Sequence, residues 1–167
     1  MTIDGTGAMP DYRGAEDSRP WIDQLGEITK VVVKGGVTHV GSSSFTQATA
    51  LEEVVLEEGV ETVGMDAFSY VSTLTTITFP ESLKELKQGV FYSCSNIATV
   101  NYPKTQDEFK ANVTRANYND SIFAASWGEP IPTEGSLTDT ITWKIADGVL
   151  TIAGTGEMPD FATEADQ

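Results

Sequence analysis

Apolar positions along this chain fall into columns separated by a constant step. Three segments align without gaps: ITKVVVKGGVTHVGSSSFTQATA from Ile28, LEEVVLEEGVETVGMDAFSYVST from Leu51 and LTTITFPESLKELKQGVFYSCSN from Leu74. A fourth, IATVNYP, begins at Ile97 and then departs. The starts at 28, 51, 74 and 97 give a period of 23 residues without slippage. One apolar column is Ile28, Leu51, Leu74 and Ile97; a second is Val31, Val54, Ile77 and Val100; a third is Val33, Leu56, Phe79 and Tyr102. Then come Val37, Val60 and Leu83; Val40, Val63 and Leu86; and Phe45, Phe68 and Phe91.

A fixed period with constant columns predicts stacked coils, because one coil alone cannot cover its own apolar residues. Burial of each large side chain in such a stack contributes roughly 1.5–3 kcal/mol gross, and chain entropy offsets most of it. Within a coil, VVV and TITF alternate between inward and outward positions and predict a short strand. GGV, EGV and ESL carry turn signals. THVG and ETVG predict a second short extended piece, and MDAF or QGVF a single helical turn that buries its phenylalanine.

The pattern L-x-x-V-x-[ILF]-x-x-[GS]-[VL]-x-x-[VL]-[GK]-x-x-x-F resembles the BspA-like leucine-rich repeats of bacterial surface proteins. LTIAGTGEMPDF, preceded by ITWKIADG, is similar to the module that commonly precedes such repeats. VNYPKTQDEFKANV, from Val100, is similar to the segment that often closes them, although Lys104 and Phe109 stand where the family more often has glycine and tryptophan. The expected fold class is α/β: a leucine-rich-repeat-type solenoid of 23-residue coils, with short strands plus irregular or short helical turns, capped at both ends. The resemblance implies an extracellular or cell-surface location.

The expected organisation is a partial N-terminal cap module at 1–27, the solenoid at 28–104, a C-terminal cap at 105–127, a linker at 128–139 and the β-hairpin start of a second module at 140–167. Both ends of a solenoid expose apolar surface and need covering. Pro20-Trp21 places a large ring just before the first coil, and 107–113 has helical composition. GEPIPTEGSLTD is rich in Gly, Pro and Ser, as linkers are. Beyond it, two alternating runs flank Asp147-Gly148, a strong hairpin signal.

The two ends of the chain echo each other. TIDGTGAMPDY from Thr2 and TIAGTGEMPDF from Thr151 agree at eight of eleven positions. The front copy lacks the strand equivalent to ITWKI. Two explanations stand: the chain is an excerpt from a tandem array, or the surplus end completes the incomplete beginning of another copy by adding a strand. The second makes head-to-tail contacts, which yield rings or open filaments. Its candidate residues are Thr2, Ile3, Ile141, Trp143, Ile145, Leu150 and Ile152.

Composition narrows the chemistry. With 25 acidic against 10 basic residues the formal charge is −15, so nucleic acid and anionic membranes are repelled. No apolar run is long enough to span a membrane, and no signal peptide is visible at the N-terminus. Solubility accounts for the acidity; calcium would require oxygen ligands at a fixed spacing, such as an EF-hand loop, and the sequence shows none. Cys94 is the single cysteine, which excludes an internal disulfide and points to a small buried hydrophobe. His39 is the single histidine, on the turn side of the first coil, opposite Thr62 and Glu85. With one His and one Cys two coils apart, no nucleophilic constellation is supported. DGTG has the wrong order for an aspartic protease motif and has Ala153 in place of Asp4 in its second copy; glycines at positive φ explain it better. Asn112-Val113-Thr114 and Asn119-Asp120-Ser121 match the glycosylation sequon, which matters only in a eukaryotic secretory pathway. Lys30 and Lys34 lie one period before Glu53 and Glu57, placing opposite charges side by side.

The expectation is therefore no catalysis, no cofactor and no metal. The outward columns are Lys30, Glu53, Thr76 and Thr99, and Val32, Val55, Thr78 and Asn101. Of these, Lys30, Val32, Glu53, Val55, Thr76, Thr78 and Asn101 make the candidate interaction face. Two functions follow: a protein-interaction or adhesion module with a host or bacterial partner, or a structural subunit that joins end to end with itself.

Overall fold

A computed structural model describes residues 1–13, 18–128, 134–146 and 149–157 of the chain. It divides into two compact units, Met1–Pro130 and Ile131–Gln167.

The first unit is built on two parallel sheets. One contains β1 (Thr2–Ile3), β3 (Lys30–Val33), β5 (Glu53–Leu56), β7 (Thr76–Thr78), β9 (Thr99–Asn101) and β11 (Ser126–Trp127), adjacent in that order. The other contains β2 (Gly7–Ala8), β4 (Val37–Val40), β6 (Thr62–Val63), β8 (Glu85–Leu86) and β10 (Thr114–Arg115). Registers follow the sequence period. Lys30 sits beside Glu53, Glu53 beside Thr76 and Thr76 beside Thr99; in the second sheet His39 sits beside Thr62, and Thr62 beside Glu85. THVG and ETVG thus form the second extended piece that the pattern predicts.

Every apolar column named above lies in one buried core. Phe45, Phe68 and Phe91 stack as a ladder, with ring centroids 5.3 and 5.7 Å apart and planes within 8° of parallel. Trp21 continues the ladder over Phe45 at 5.3 Å, and its Nε1–H donates to the Ser44 carbonyl at 2.9 Å. At the far end Phe109 and Ile122 are fully buried, and Trp127 packs on Phe109 at 4.9 Å. Phe109 comes from helix α1 (Gln106–Asn112), which starts with a reciprocal capping box between Thr105 and Glu108, satisfying two orphan donors of its first turn.

The third side of each coil differs from the expected helical turn. It is a run of non-helical turns with left-handed residues in two columns: Ser43, Asp66 and Gly89, and Gln47, Tyr70 and Ser93. Left-handed residues redirect alternate N–H groups away from their own turn and toward the next coil. Ser43, Phe45 and Gln47 donate to Met65, Ala67 and Ser69 at 2.7–2.9 Å. Asp66, Phe68 and Tyr70 then donate to Gln88, Val90 and Tyr92 at 2.7–3.0 Å. A helical turn would keep these bonds within the coil; here they tie coils together on the third side as well.

The turn between the two sheets is tight. Gly59 has φ +107°, and a Cβ there would fall 2.0 Å from the Gly35 carbonyl oxygen of the preceding coil.

The second unit is a three-stranded antiparallel sheet, with β13 (Ile141–Ala146) between β12 (Glu134–Ser136) and β14 (Val149–Gly154). The Asp147-Gly148 turn and MPDF from Met158 lie outside the described residues, as do residues 129–133. Residues 134–136, whose composition reads as linker, pair with β13. The echoed glycines adopt matching conformations: Gly5 and Gly154 have φ +152° and +144°, Gly7 and Gly156 +90° and +113°.

Candidate interaction face

The strands of the first sheet turn one set of side chains inward and the alternate set outward. The outward set is the pair of columns expected from the sequence, brought side by side by the register. Lys30 is exposed, whereas Val32, Glu53, Val55, Thr76, Thr78 and Asn101 are half-buried. Val32 and Val55 are therefore less open than an isolated strand would leave them, because neighbouring strands about 4.8 Å away cover their flanks. The Lys30 ammonium lies 2.9 Å from Glu53, and Asn101 Nδ2 donates to Thr78 Oγ1 at 3.3 Å. Each column is thus cross-linked once by its own side chains, and Val32 and Val55 lie side by side in the second column. Four strands at that spacing, β3, β5, β7 and β9, with two outward residues each, make a strip on the order of 250 Å². A standard protein contact covers about 800 Å² per partner, so a partner on this strip also uses its flanks.

One flank is polar and charged at the turn following the strands. Lys34 pairs with Glu57 at 2.6 Å, Lys84 with Glu61 at 2.7 Å, and Lys104 with Glu81. The Glu58 carboxylate accepts from the backbone N–H of Glu81 and Ser82, at 2.6 and 3.1 Å. These bonds link one coil to the next, so the acidic residues of LEEVVLEEGVE are mostly engaged in the stack.

The residues with catalytic potential are occupied structurally. His39 is half-buried; its Nδ1 lies 2.6 Å from Thr62 Oγ1 and its Nε2 3.6 Å from Asp11. The Ser42 backbone N–H, 2.6 Å away, holds the Asp11 carboxyl below its ordinary range. Cys94 is buried and its thiol donates to the Phe68 carbonyl at 3.1 Å; burial pushes it up to about 11. Asn119, the second sequon asparagine, is also buried. Its amide donates to the carbonyls of Lys87 and Ala116, at 2.8 and 3.0 Å, and its oxygen accepts from Phe91 N–H. A glycan on that nitrogen is incompatible with the fold, so the sequon reading survives only at the exposed Asn112. Among the described residues no group of three or more His, Cys, Asp or Glu could hold a metal ion, and no helix is long and apolar enough to cross a membrane.

The residues singled out for end-to-end contacts divide between the units. Thr2 and Ile3 form β1, the first strand of the six-stranded sheet; Ile3 is half-buried against the core. Val32 and Lys34 donate their N–H groups to the carbonyls of Met1 and Ile3, so the Thr2 backbone groups face outward. In the second unit Ile141 is buried, Trp143 is half-buried, and Leu150 and Ile152 are exposed. The side chain of Ile145 lies outside the described residues.

Residues 23–122 match the BspA type leucine rich repeat region, in six copies. No curated protein matches the chain. Two solved structures are similar to it. A leucine-rich repeat protein from Eubacterium ventriosum is 22% identical, with 60% of this chain and 38% of that one covered at a TM-score of 0.39. A leucine rich cell surface protein from Faecalibacterium prausnitzii is 18% identical, with 88% and 54% covered at a TM-score of 0.37. The chain thus spans about half or less of the length of these two proteins.

Proposed function

Because the chain belongs to the BspA-type leucine-rich repeat family, we propose that it is a non-catalytic protein-interaction module of a bacterial surface or secreted protein, used in adhesion. The observation that carries this reading is the outward strip of the six-stranded sheet. Val32 and Val55 sit side by side on β3 and β5, hydroxyl and amide side chains continue the strip across β7 and β9, and a Lys–Glu pair borders the valines. A half-buried apolar pair set among hydroxyl, amide and charged side chains has the mixed character of a contact surface. The non-catalytic reading is supported by His39 and Cys94, both held in structural contacts. The partner is a protein of the host or of a neighbouring bacterium. The test is capture of intact host cells and of bacterial cells by the immobilised chain and by Val55→Arg. Loss of capture with an unchanged melting curve supports the strip; equal capture moves the contact to another surface.

A second reading has its own observation. Ile3 packs on the core of the first unit, while its echo Ile152 is 42% exposed and neighbouring Leu150 57% exposed, both on a strand whose outer edge has no strand partner among the described residues. The outer edge of β1 is likewise unpaired among the described residues. Unpaired edges with apolar side chains recruit further strands. In this reading the second unit of one copy joins the β1 end of the next, and the subunits form a fibre. Sedimentation of the chain at increasing concentration should reveal polymers that Thr2→Pro reduces and deletion of 140–167 abolishes; sedimentation as a monomer throughout rejects it.

A further inference from the structure

Three exposed tyrosines converge on the third side of the solenoid. Tyr70, Tyr92 and Tyr118 are 54%, 42% and 57% exposed, and form a row with centroids 5.4 and 5.6 Å apart and rings nearly perpendicular. They line a groove of about 410 Å³ together with Asp66, Gln88, Ser69 and neighbouring small residues. This groove lies on the hydrogen-bonded turns and shares none of the residues of the strand strip.

The choice of residues here is not explained by the fold. Tyr70 has φ +58° and Tyr118 φ +67°, a conformation that bulky residues rarely adopt. The equivalent positions in other coils carry Gln47 and Ser93 for the first. For Tyr118 they carry Ser43, Asp66 and Gly89, since Gly89 N–H donates to the residue before Tyr118 as Asp66 N–H does to the residue before Gly89. Tyrosine at these places is largely exposed, so core packing does not account for it. The Asp66 carboxylate lies where a side chain at 89 would be: a Cβ on Gly89 would fall 2.4 Å from Asp66 Oδ1. Among the described residues, the Asp66 carboxylate, the Gln88 amide and the three phenol hydroxyls have no hydrogen-bond or ion-pair partner.

We propose that this groove binds a neutral saccharide. Tyrosine rings offer apolar faces to the C–H faces of a sugar ring, with a polar tip at the rim. The free polar groups are of both kinds: Gln88 donates and accepts, the phenols do the same, and Asp66 only accepts. Sugar hydroxyls need both kinds. An ammonium or guanidinium ligand has donors alone and would leave the donors of Gln88 and the phenols unused. No Lys, Arg or His lines the groove, and the chain carries −15, which excludes acidic or sulfated sugars. The row of rings follows the coil axis, so the ligand is an oligomer that lies across several coils.

The test is titration of the full chain over surfaces bearing dextran, mannan, β-1,3-glucan, β-1,4-glucan and poly-L-lysine. Retention on at least one neutral polysaccharide is expected, insensitive to salt and weakened about ten-fold or more, about 1.4 kcal/mol, by Tyr92→Ala. Asp66→Asn should weaken it as well. Tyr70→Asn places a residue suited to the left-handed backbone, so weakened retention there cannot arise from misfolding. Val55→Arg should leave retention unchanged, which separates this site from the strand strip. The proposal is overturned if no neutral polysaccharide is retained, or if Tyr92→Ala and Tyr70→Asn both retain it fully. Salt-sensitive, Tyr92-dependent retention on poly-L-lysine alone also overturns it and makes the groove a site for basic peptides.

Discussion

Phe68→Ala is the substitution that most directly probes the ring ladder. Phe68 is fully buried, with Phe45 stacked on one face at 5.3 Å and Phe91 on the other at 5.7 Å. Truncating a buried phenylalanine costs about 3–5 kcal/mol, depending on how far the site collapses. Collapse is blocked here, because the backbone of Phe45 is hydrogen-bonded to Ala67 at 2.7 Å and that of Phe68 to Val90 at 3.0 Å. Two stacked pairs are also lost, each worth about 0.5–1.5 kcal/mol beyond area. The expected loss therefore lies at the upper end, about 5 kcal/mol, equal to the whole stability of a domain at the low end of the ordinary range. Trp21→Ala removes a half-buried ring with one stacked neighbour at the end of the ladder, and should cost about 2 kcal/mol. Phe68→Leu keeps most of the volume and should recover more than half of the loss. Urea unfolding followed by far-ultraviolet circular dichroism measures all three, with the m-value checked for loss of cooperativity. A cost for Phe68→Ala no greater than that for Trp21→Ala would refute the idea that stacked coils share one continuous core.

Three further outcomes are expected. Gly59→Ala forces a Cβ against a backbone carbonyl at a positive φ, and should destabilise by at least about 2 kcal/mol in the same urea assay. Asn119→Ala leaves the Lys87 and Ala116 carbonyls and the Phe91 N–H without their partner, and should cost about 2–3 kcal/mol, whereas Asn112→Ala should stay within about 0.5 kcal/mol. The Cys94 thiol, raised from 9.0 to about 11, should resist a disulfide reagent at pH 8 until denaturant is added. Because the folded state holds this proton to higher pH than the unfolded chain, stability should fall as pH rises through 9 toward 11, and Cys94→Ala should blunt that fall.

Much of the architecture is legible in the 23-residue columns, because a parallel ladder requires equal spacing on every strand. Both sheets, the ring ladder and the Lys30–Glu53 pair follow from it. What escapes is whatever breaks the period. Thr2 sits beside Val32, a step of 30 rather than 23, since the front coil is longer than the others. The third-side hydrogen bonds depend on left-handed Ser43, Gln47, Asp66 and Tyr70, and of these only Asp is a residue type that favours that conformation. The tyrosine row draws on residues 70, 92 and 118, steps of 22 and 26, so no column analysis brings them together. Their exposure and unpaired neighbours become visible only once the coils are stacked.

The constant register has a consequence for how such molecules change in size. An insertion of one residue in a strand would turn its inward side chains outward, whereas duplication of residues 51–73 would splice in a whole layer with every bond to its neighbours repeated. The stack can thus lengthen by about 4.8 Å at a time, with the residues packed at either end of it untouched, and the reach of whatever it presents is set by counting layers.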